Sequence, residues 1–393
     1  MAECFWQNLV LTEEDCDVAE VVIPPWGDFI QRAELTGPGG IDYFGRYVAI
    51  DADTAIICYN TNIVPETPNI YAAVVYDNVD DVWTEGQTLS ESQTMDVMQV
   101  AGDLAVFRTR ESGYTYPNQG GVYVYQKSGG TWSKLQQIDA PNLDDNDIYV
   151  EDAALSPDGE WLAFGCDDSD GTEYVLMYEW NGSSFAYHSR IEAPGYGDNF
   201  GRAVSLSSAG VLAVGARSND DAGSNDGIVY IYELSGASWS LGQSITPTVN
   251  ESSTRFGESV RLSSDANYLA VGDALSGVSV YELDGTYGFV ERIDHGAVGY
   301  ANAKISDDGL TVIQPDNPFA SDSTISVNEY DEGSFFENQN FSPDHPDLLT
   351  AWIAIYGMDL RDGQLIVGCA EHETGEGLVD GQGFVYIYSR DPI

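Results

Sequence analysis

Short runs in which apolar and polar residues alternate recur along the whole chain, at intervals of roughly fifty residues. Each unit contains an apolar run that ends in Gly-Ala, Gly-Cys or Gly-Asp, then a polar loop, then an alternating run rich in aromatic and β-branched residues. The copy at residues 199–239 shows this order most clearly. Alternation with a period of two is typical of half-buried β-strands, so the pattern predicts an all-β protein built from repeats.

A tyrosine closes the alternating run of nearly every unit and marks the register of the repeat. The seven positions in this frame are Tyr76, Tyr125, Tyr178, Tyr232, Tyr281, Asn328 and Tyr388. A bulky aromatic residue follows six of them, at Trp83, Trp132, Phe185, Trp239, Phe289 and Phe335. The seventh unit has no such aromatic residue before Ile393, and it also lacks the short final strand that ends the other units. The last unit is therefore incomplete by one strand.

A strand of the missing type lies ahead of the first unit, at residues 28–38. If it completes the last unit, the array closes into a ring and no sheet edge stays exposed. The sequence therefore predicts a seven-bladed β-propeller of four-stranded antiparallel blades, closed by this N-terminal strand. We expect residues 1–23 to form an extension and residues 24–393 a single domain. The blades are expected near residues 43–90, 95–141, 147–194, 198–248, 254–298, 299–346, and 348–393 together with 28–38.

A Phe-Gly pair opens several of the units. Phe44-Gly45-Arg46, Phe200-Gly201-Arg202 and Phe256-Gly257-Glu258 each precede an apolar strand with a Gly-Ala-like end. This arrangement resembles the FG-GAP repeats of integrin α subunits and of many bacterial and archaeal surface proteins. The resemblance implies a propeller that works outside a cell.

FG-GAP repeats often carry a calcium loop of the form D-x-D-x-D-G-x-x-D before the second strand, and this chain departs from that form. Its corresponding loops at residues 206–210, 262–266 and 305–309 are short and offer too few oxygen ligands for calcium. We therefore expect no cofactor and no metal site beyond loosely bound cations. The weak candidates for such cations are the acidic loop residues Asp167, Asp168, Asp170, Asp220, Asp221 and Asp226.

The net charge of −49, from 64 acidic and 15 basic residues, is extreme for a chain that is 43% hydrophobic. Self-repulsion at this density destabilises a compact fold unless salt screens it, which points to a virus or archaeon of a high-salt environment. An acidic surface also repels phosphate, which argues against nucleic acid and anionic membranes as partners. Only three residues are lysines: Lys127, Lys134 and Lys304.

No motif for catalysis is visible in the sequence. The four histidines do not pair with one another or with cysteines at zinc-ligand spacing, and no P-loop, G-x-S-x-G or H-E-x-x-H occurs. The sequence therefore predicts a non-enzymatic binding module with no catalytic residues. The alternative is a glycosidase-like enzyme that uses carboxylates at the propeller channel. A channel plugged by apolar side chains would exclude this alternative.

The first residues of the chain lack the basic region and apolar run of a signal peptide, and no stretch is long and apolar enough to span a membrane. An extracellular propeller without a signal is consistent with a virion surface protein, such as a spike, turret or tail-fibre component; a cell-surface adhesin is the alternative. We expect the extension to dock on other virion or surface proteins through Trp6, Leu9, Val10 and Leu11. The propeller loops would then bind a host glycan or protein.

The charge generates a first testable prediction. Raising KCl from about 0.1 M to about 3 M shortens the Debye length severalfold, so the midpoint of thermal unfolding should rise. Differential scanning calorimetry across this range measures the effect. A midpoint that stays constant or falls would contradict the high-salt origin.

Overall fold

The computed structural model describes twenty parts of the chain, and every regular element in them is a β-strand. These parts are residues 4–6, 9–11, 26–37, 44–61, 70–91, 93–109, 120–140, 148–168, 171–195, 198–220, 225–248, 254–274, 277–294, 303–316, 324–331, 334–341, 355, 357–361, 363–369 and 383–392.

The strands form a small hairpin and seven four-stranded antiparallel sheets, which are the predicted blades. The strands outside blades 1–6 at the N-terminus are β1 (Cys4–Trp6), β2 (Leu9–Leu11) and β3 (Trp26–Thr36). From the inner to the outer strand, blade 1 contains β4 (Val48–Asp51), β5 (Thr54–Thr61), β6 (Ile70–Val79) and β7 (Val82–Glu91). Blade 2 contains β8 (Asp96–Ala101), β9 (Leu104–Thr109), β10 (Gly121–Ser128) and β11 (Thr131–Asp139). Blade 3 contains β12 (Ile148–Leu155), β13 (Trp161–Asp168), β14 (Glu173–Trp180) and β15 (Phe185–Glu192).

The remaining blades repeat this order. Blade 4 contains β16 (Phe200–Leu206), β17 (Val211–Ala216), β18 (Ile228–Ser235) and β19 (Ser238–Ile245). Blade 5 contains β20 (Ser259–Leu262), β21 (Tyr268–Gly272), β22 (Gly277–Asp284) and β23 (Thr286–Asp294). Blade 6 contains β24 (Lys304–Ile305), β25 (Thr311–Asp316), β26 (Thr324–Asp331) and β27 (Ser334–Phe341). Blade 7 contains β28 (Gly357–Arg361), β29 (Gln364–Cys369), β30 (Phe384–Pro392) and, as its outer strand, β3.

The predicted ring closure is confirmed. Strand β3 pairs antiparallel with β30, and the register places Phe29 opposite Arg390 and Leu35 opposite Val385. The fourth strand of the last blade therefore comes from the opposite end of the chain. The closing strand begins and ends two residues earlier than predicted, at Trp26 and Thr36.

Every blade has a bulge in its outer strand, opposite the frame position that a tyrosine occupies in six of the seven units. The pairing of third and outer strands shifts register at Tyr76, Tyr125, Tyr178, Tyr232, Tyr281, Asn328 and Tyr388. A bulge inserts a residue and increases the local twist of the strand. The repeat thus fixes the same bend in the outer strand of all seven blades.

The bulge brings a glutamine of one outer strand against the next blade. Gln136 Nε2 donates a hydrogen bond of 2.9 Å to the carbonyl oxygen of Phe185, and the Phe185 N–H donates one of 2.9 Å to Gln136 Oε1. We call this reciprocal pair the glutamine clamp. The same clamp joins Gln87 to Trp132, Gln243 to Tyr287 and Gln339 to Phe29. The clamped residue is the aromatic that follows the frame position in each unit.

The clamps correct two sequence expectations. In blade 5 the clamped aromatic is Tyr287, which is buried, whereas the predicted Phe289 is 45% exposed and lies opposite Tyr281. The hairpin turn of this blade, at Gly285, is one residue shorter than its counterpart in blade 4, which moves the aromatic one position earlier. In blade 7 the aromatic is not missing, because Phe29 of the closing strand supplies it.

The Phe-Gly pair of one unit meets the Gly-Ala-like strand end of the preceding unit at the seam between their blades. The Phe-Gly turn of blade 4 packs on the second strand of blade 3, where a Cβ at Gly165 would overlap the backbone of Gly201. Gly201 also has a φ of +85°, which favours glycine. The repeat therefore contains these two glycines because the backbones of neighbouring blades approach closely.

The hydrophobic core is divided among these seams. In blade 3, Leu176 packs with Val124 of blade 2, while the adjacent Val175 packs with Val214 of blade 4. Alternate residues of one strand thus serve opposite neighbours, as the period of two predicts. Stability comes from packing between blades, so each blade depends on the ring.

The clamps generate a second prediction. The substitution Gln136→Leu keeps the side chain's size but leaves the N–H and C=O of Phe185 unpaired at a packed seam. We expect it to lower the free energy of unfolding by about 1–3 kcal/mol, measured by chemical denaturation. The matched control is Gln137→Leu at the exposed neighbouring position, which should change stability by less than about 0.5 kcal/mol. Equal effects of the two variants would show that the clamp does not hold the seam.

Candidate functional site

The inner strands of the seven blades surround a cavity of about 330 Å³ at the end of the channel where these strands begin. Each blade contributes to its lining. One lining residue from each blade, in chain order, is Tyr47, Gln99, Asp152, Arg202, Arg261, Lys304 and Met358. We call this space the channel cavity.

Positive charge is concentrated in the channel cavity. Five of the chain's 15 basic residues line it, together with three carboxylates. The basic residues are Arg46, Arg108, Arg202, Arg261 and Lys304, and the carboxylates are Glu151, Asp152 and Glu258. The cavity thus reverses the sign of a chain whose net charge is −49. In the described part of the chain the channel is lined by charged groups and is not an apolar plug.

The Phe-Gly turns aim the third residue of the motif into the cavity. Arg46, Arg202 and Glu258 occupy this position, and all three line the channel cavity. Glu151 lines it from a register shift between Val150 and Asp152 in blade 3. Bulges at the start of inner strands commonly redirect a side chain in this way. The Phe-Gly motif is therefore the sequence signal for Arg46, Arg202 and Glu258, whereas no motif marks Glu151.

Two charged residues of the lining are committed to holding the blades together. Arg108 is 6% exposed and donates to Asp96 at 2.8 Å and to the Tyr47 hydroxyl at 3.1 Å. The two carboxylate oxygens of Asp152 accept hydrogen bonds of 2.9 Å from the backbone N–H groups of Ala153 and Val204. Burial raises the pKa of Asp152, and these two hydrogen bonds oppose the shift.

The two glutamates at the mouth are each paired with an arginine. Glu151 contacts Arg202, which also lines the cavity. Both oxygens of Glu258 accept from Nη1 of Arg217, at 2.7 and 2.9 Å, and the Glu258 side chain is 10% exposed. Charge-assisted hydrogen bonds of this kind fix the orientation of a carboxylate.

Two further cations of the lining, Arg261 and Lys304, lie on the inner strands of blades 5 and 6. Nη2 of Arg261 is buried without a hydrogen bond, and its nearest carboxylate oxygen, on Asp359, is 3.9 Å away. The Lys304 ammonium group interacts electrostatically with the carboxylates of Asp359 and Asp152. Burial, followed by the charge of Arg361, lowers the pKa of Arg261 to about 10. Burial likewise lowers the pKa of Lys304.

The acidic loop residues named as weak cation candidates do not gather into a site among the residues described. Among the described residues, no group of three or more His, Cys, Asp or Glu side chains is arranged to hold a metal ion. Asp226 is buried, and Asp220 accepts a bond of 2.7 Å from the N–H of Asn225. Asp167 and Asp168 end strand β13, while Asp170 and Asp221 lie outside the described residues.

The short loops that replace calcium loops use their acid within the turn. Ser263 Oγ donates to Asp265 at 2.7 Å and accepts from the N–H of Tyr268 at 3.0 Å. The same Ser-x-Asp arrangement closes the loops at Ser156 and Ser306. These aspartates stabilise tight hairpins.

The docking candidates Trp6, Leu9, Val10 and Leu11 lie in the N-terminal hairpin. Strands β1 and β2 pair antiparallel, with Trp6 opposite Leu9. This hairpin is separate from the seven blades. What it binds stays a prediction.

Comparison with known proteins confirms the resemblance seen in the sequence. Residues 194–232 match the FG-GAP repeat, which covers the start of blade 4 through its third strand. No protein of curated function shows significant sequence similarity to the chain. Among the described residues, no helix has the length and hydropathy needed to cross a membrane.

Several solved propellers share the architecture. The periplasmic gluconolactonase of Pseudomonas aeruginosa superposes with a TM-score of 0.55 at 15% identity, over 75% of this chain and 84% of that chain. A putative 6-phosphogluconolactonase of Bacteroides fragilis has a TM-score of 0.53 at 16% identity, over 76% and 85%. One from Bacteroides uniformis has a TM-score of 0.55 at 15% identity, over 76% and 86%. At this identity the likeness shows the fold alone.

These similar structures contradict the prediction that the protein is not an enzyme. Propellers of the same architecture include proteins described as lactonases, so the architecture gives no ground for excluding catalysis. The prediction relied on motifs with short spacings. The charged groups of the channel cavity instead come from separate blades, roughly fifty residues apart, so that no compact motif records them.

Proposed function

We propose that the protein is a hydrolase that cleaves an ester bond, of the lactone type, in a small carbohydrate-derived substrate bound in the channel cavity. The observation that carries this proposal is the convergence of oriented carboxylates with five cations, one of which has a guanidinium Nη2 without a hydrogen bond, in one cavity of about 330 Å³. Pockets for small molecules begin at about this volume. The names of the structurally similar propellers support the same reaction class by analogy.

Glu258 is the residue best placed to act as general base. Its carboxylate lines the cavity mouth and is held by Arg217, so one oxygen can face a water molecule while the orientation is kept. It lies directly before the inner strand β20 and three residues before Arg261 of that strand. A substrate lying between the two would present its carbonyl group to the base and its far end to the cations.

The cations supply the second requirement of ester hydrolysis. When water adds to the carbonyl carbon and gives its proton to the base, the carbonyl oxygen becomes an oxyanion. Arg46 and Arg202 occupy the motif position of Glu258 in blades 1 and 4 and line the same cavity, so their guanidinium groups can stabilise such an anion. Collapse of the intermediate breaks the ester C–O bond and returns the proton to the leaving alkoxide. The products are a carboxylate and an alcohol.

Ester hydrolysis fits the cavity better than glycoside hydrolysis does. A glycosidase requires one protonated carboxylic acid to assist the leaving group. Glu151 and Glu258 are both paired with arginines and do not stand in the apolar surroundings that suit a general acid. The pKa of Asp152 is raised by burial, but its two oxygens are occupied by backbone N–H groups.

The proposal predicts that Glu258→Gln abolishes hydrolysis while the fold is kept. We expect the purified protein to hydrolyse glucono-δ-lactone above the spontaneous rate, measured by acid release with a pH indicator. The variant should lose about 10²-fold or more in kcat, the usual contribution of a general base.

The matched control is Glu179→Gln, at an exposed glutamate on the third strand of blade 3, which should leave kcat unchanged. Hydrolysis that never exceeds the spontaneous rate for lactones or simple sugar esters would contradict the proposal. So would an active Glu258→Gln variant.

A surface role on a virion or cell is the second candidate, and it is compatible with a catalytic channel. The observation that favours it is the hairpin β1–β2, which lies outside the seven blades and is not needed to close the ring. Removal of residues 1–23 should then prevent association with particles while the ring stays folded. Particles that retain the truncated protein would contradict it.

A further inference from the structure

We propose that Lys304 and Arg261 form an oxyanion-binding subsite in the channel cavity, which receives a phosphate or carboxylate group carried by the substrate. The identity of the whole substrate rests on the proposed function, whereas binding of the anionic group does not.

The two cations occupy one layer of the ring. The frame residues Tyr281 and Asn328 align, across their blades, with Leu262 and Ile305 on the inner strands. Arg261 and Lys304 each directly precede these inner-strand residues. They are therefore equivalent positions in neighbouring blades, and their side chains leave the backbone at the same depth.

In blades 2, 4 and 7, the residue at this layer holds the seam to the next blade, whereas blades 1 and 3 have Ala49 and Ala154 at the equivalent position. Gln99 accepts a hydrogen bond of 3.0 Å from the N–H of Leu155, and Ser205 accepts one of 3.0 Å from that of Leu262. Asp359 accepts one of 3.1 Å from the N–H of Ile50. An uncharged polar or acidic residue at this layer thus accepts a bond from the following inner strand.

Arg261 and Lys304 cannot serve that role, because guanidinium and ammonium groups only donate. Two consecutive blades therefore carry a cation of the cavity lining where blades 2, 4 and 7 carry the seam's acceptor. Both groups are buried enough for their pKa values to fall, so the charge is kept at a cost in solvation. A structural role does not account for two such residues side by side.

The carboxylates around the two cations either form hydrogen bonds to other groups or lie beyond hydrogen-bond distance of Arg261. Asp359 is 3.9 Å from Arg261, which is beyond hydrogen-bond distance, and its other oxygen is bonded to Ile50. Asp152 uses its two oxygens on backbone N–H groups. The third nearby cation, Arg361, is paired with Asp307 at 2.8 Å. Arg261 and Lys304 both line the cavity, and Nη2 of Arg261 is buried there without a hydrogen bond.

The chemistry of the pair matches a tetrahedral or planar oxyanion. A guanidinium group presents parallel N–H donors to two oxygens of a phosphate or carboxylate, and an ammonium group adds a compact charge. Arg261 lies three residues below Glu258, a distance along a strand of about 10 Å. A six-carbon sugar acid or sugar phosphate can span this distance, which places its ester near the base and its anionic group on the cations.

The test uses the full chain and two anions that distinguish the sources of the oxyanion. Isothermal titration calorimetry at constant KCl concentration measures the dissociation constants of inorganic phosphate and of gluconate. We expect Lys304→Met to weaken the preferred anion at least tenfold. Lys134→Met is the matched control, because Lys134 lies on the outer strand of blade 2 and pairs with Glu91. It should leave the constant within twofold.

Folding of the variants is checked by the unfolding midpoint, and Arg261→Met gives a second, independent variant with the same expected loss. Binding of neither anion to the wild-type protein, or unchanged binding in both variants, would overturn the proposal. Binding that depends on Lys304 in a protein without lactone hydrolysis would leave the subsite standing and refute only the hydrolase. Hydrolysis of charged lactones that is insensitive to Lys304→Met would refute only the subsite.

Discussion

The pairing of β3 with β30 is the interaction on which the rest of the structure depends. It joins the two ends of the chain in one blade, and the side chains around it reinforce the joint. Gln339 clamps Phe29 of the closing strand to blade 6. Arg390 lies over the Phe29 ring at 4.1 Å and forms a buried ion pair of 2.6 Å with Glu329 of blade 6. Loss of one partner of such a pair costs about 3–5 kcal/mol, because the other charge stays buried.

Ring closure matters for the channel cavity because no single blade encloses it. Its lining comes from the first strand of each blade, and these strands converge only if every seam is made. The seams rely on the glycine contacts, the glutamine clamps and the acceptors of the inner layer. Two kinds of position take no part in these three contacts: the third residue of each Phe-Gly turn, and the layer position of blades 5 and 6. Charge could accumulate there without loss of the fold, as function is commonly added to a propeller scaffold.

The sequence predicted the fold well because the frame residues carry it. The spacing of the tyrosines defined the blades, and the strand missing after Tyr388 was located near residue 28. The clamps were not predicted, since a bulge must first shift the register before Gln136 can reach the next blade. Phe289 was chosen over Tyr287 because a turn shortened by one residue is invisible to a fixed spacing.

The site was harder to predict than the fold. Lys304 is one of only three lysines in the sequence, but its strand has only two residues. Nothing in the neighbouring sequence indicates that it lines the same cavity as Arg261 of the preceding blade. The excess of acidic residues in the composition favoured cation sites in the acidic loops. The departure that matters is the opposite one, a cluster of cations in an acidic protein. It becomes visible only when equivalent positions of all blades are brought into one ring.

Hydrogen–deuterium exchange on two truncated chains tests most directly whether closure holds the channel together. Removal of residues 1–25 takes away the extension and keeps β3, whereas removal of residues 1–37 takes away β3 as well. With β3 kept, the inner strands of all blades should remain as protected as in the full chain. Without β3, protection should be lost in blades 1, 6 and 7, which adjoin the opened joint. Full protection of β4, β24 and β28 in the chain that lacks residues 1–37 would contradict the dependence of the channel on ring closure.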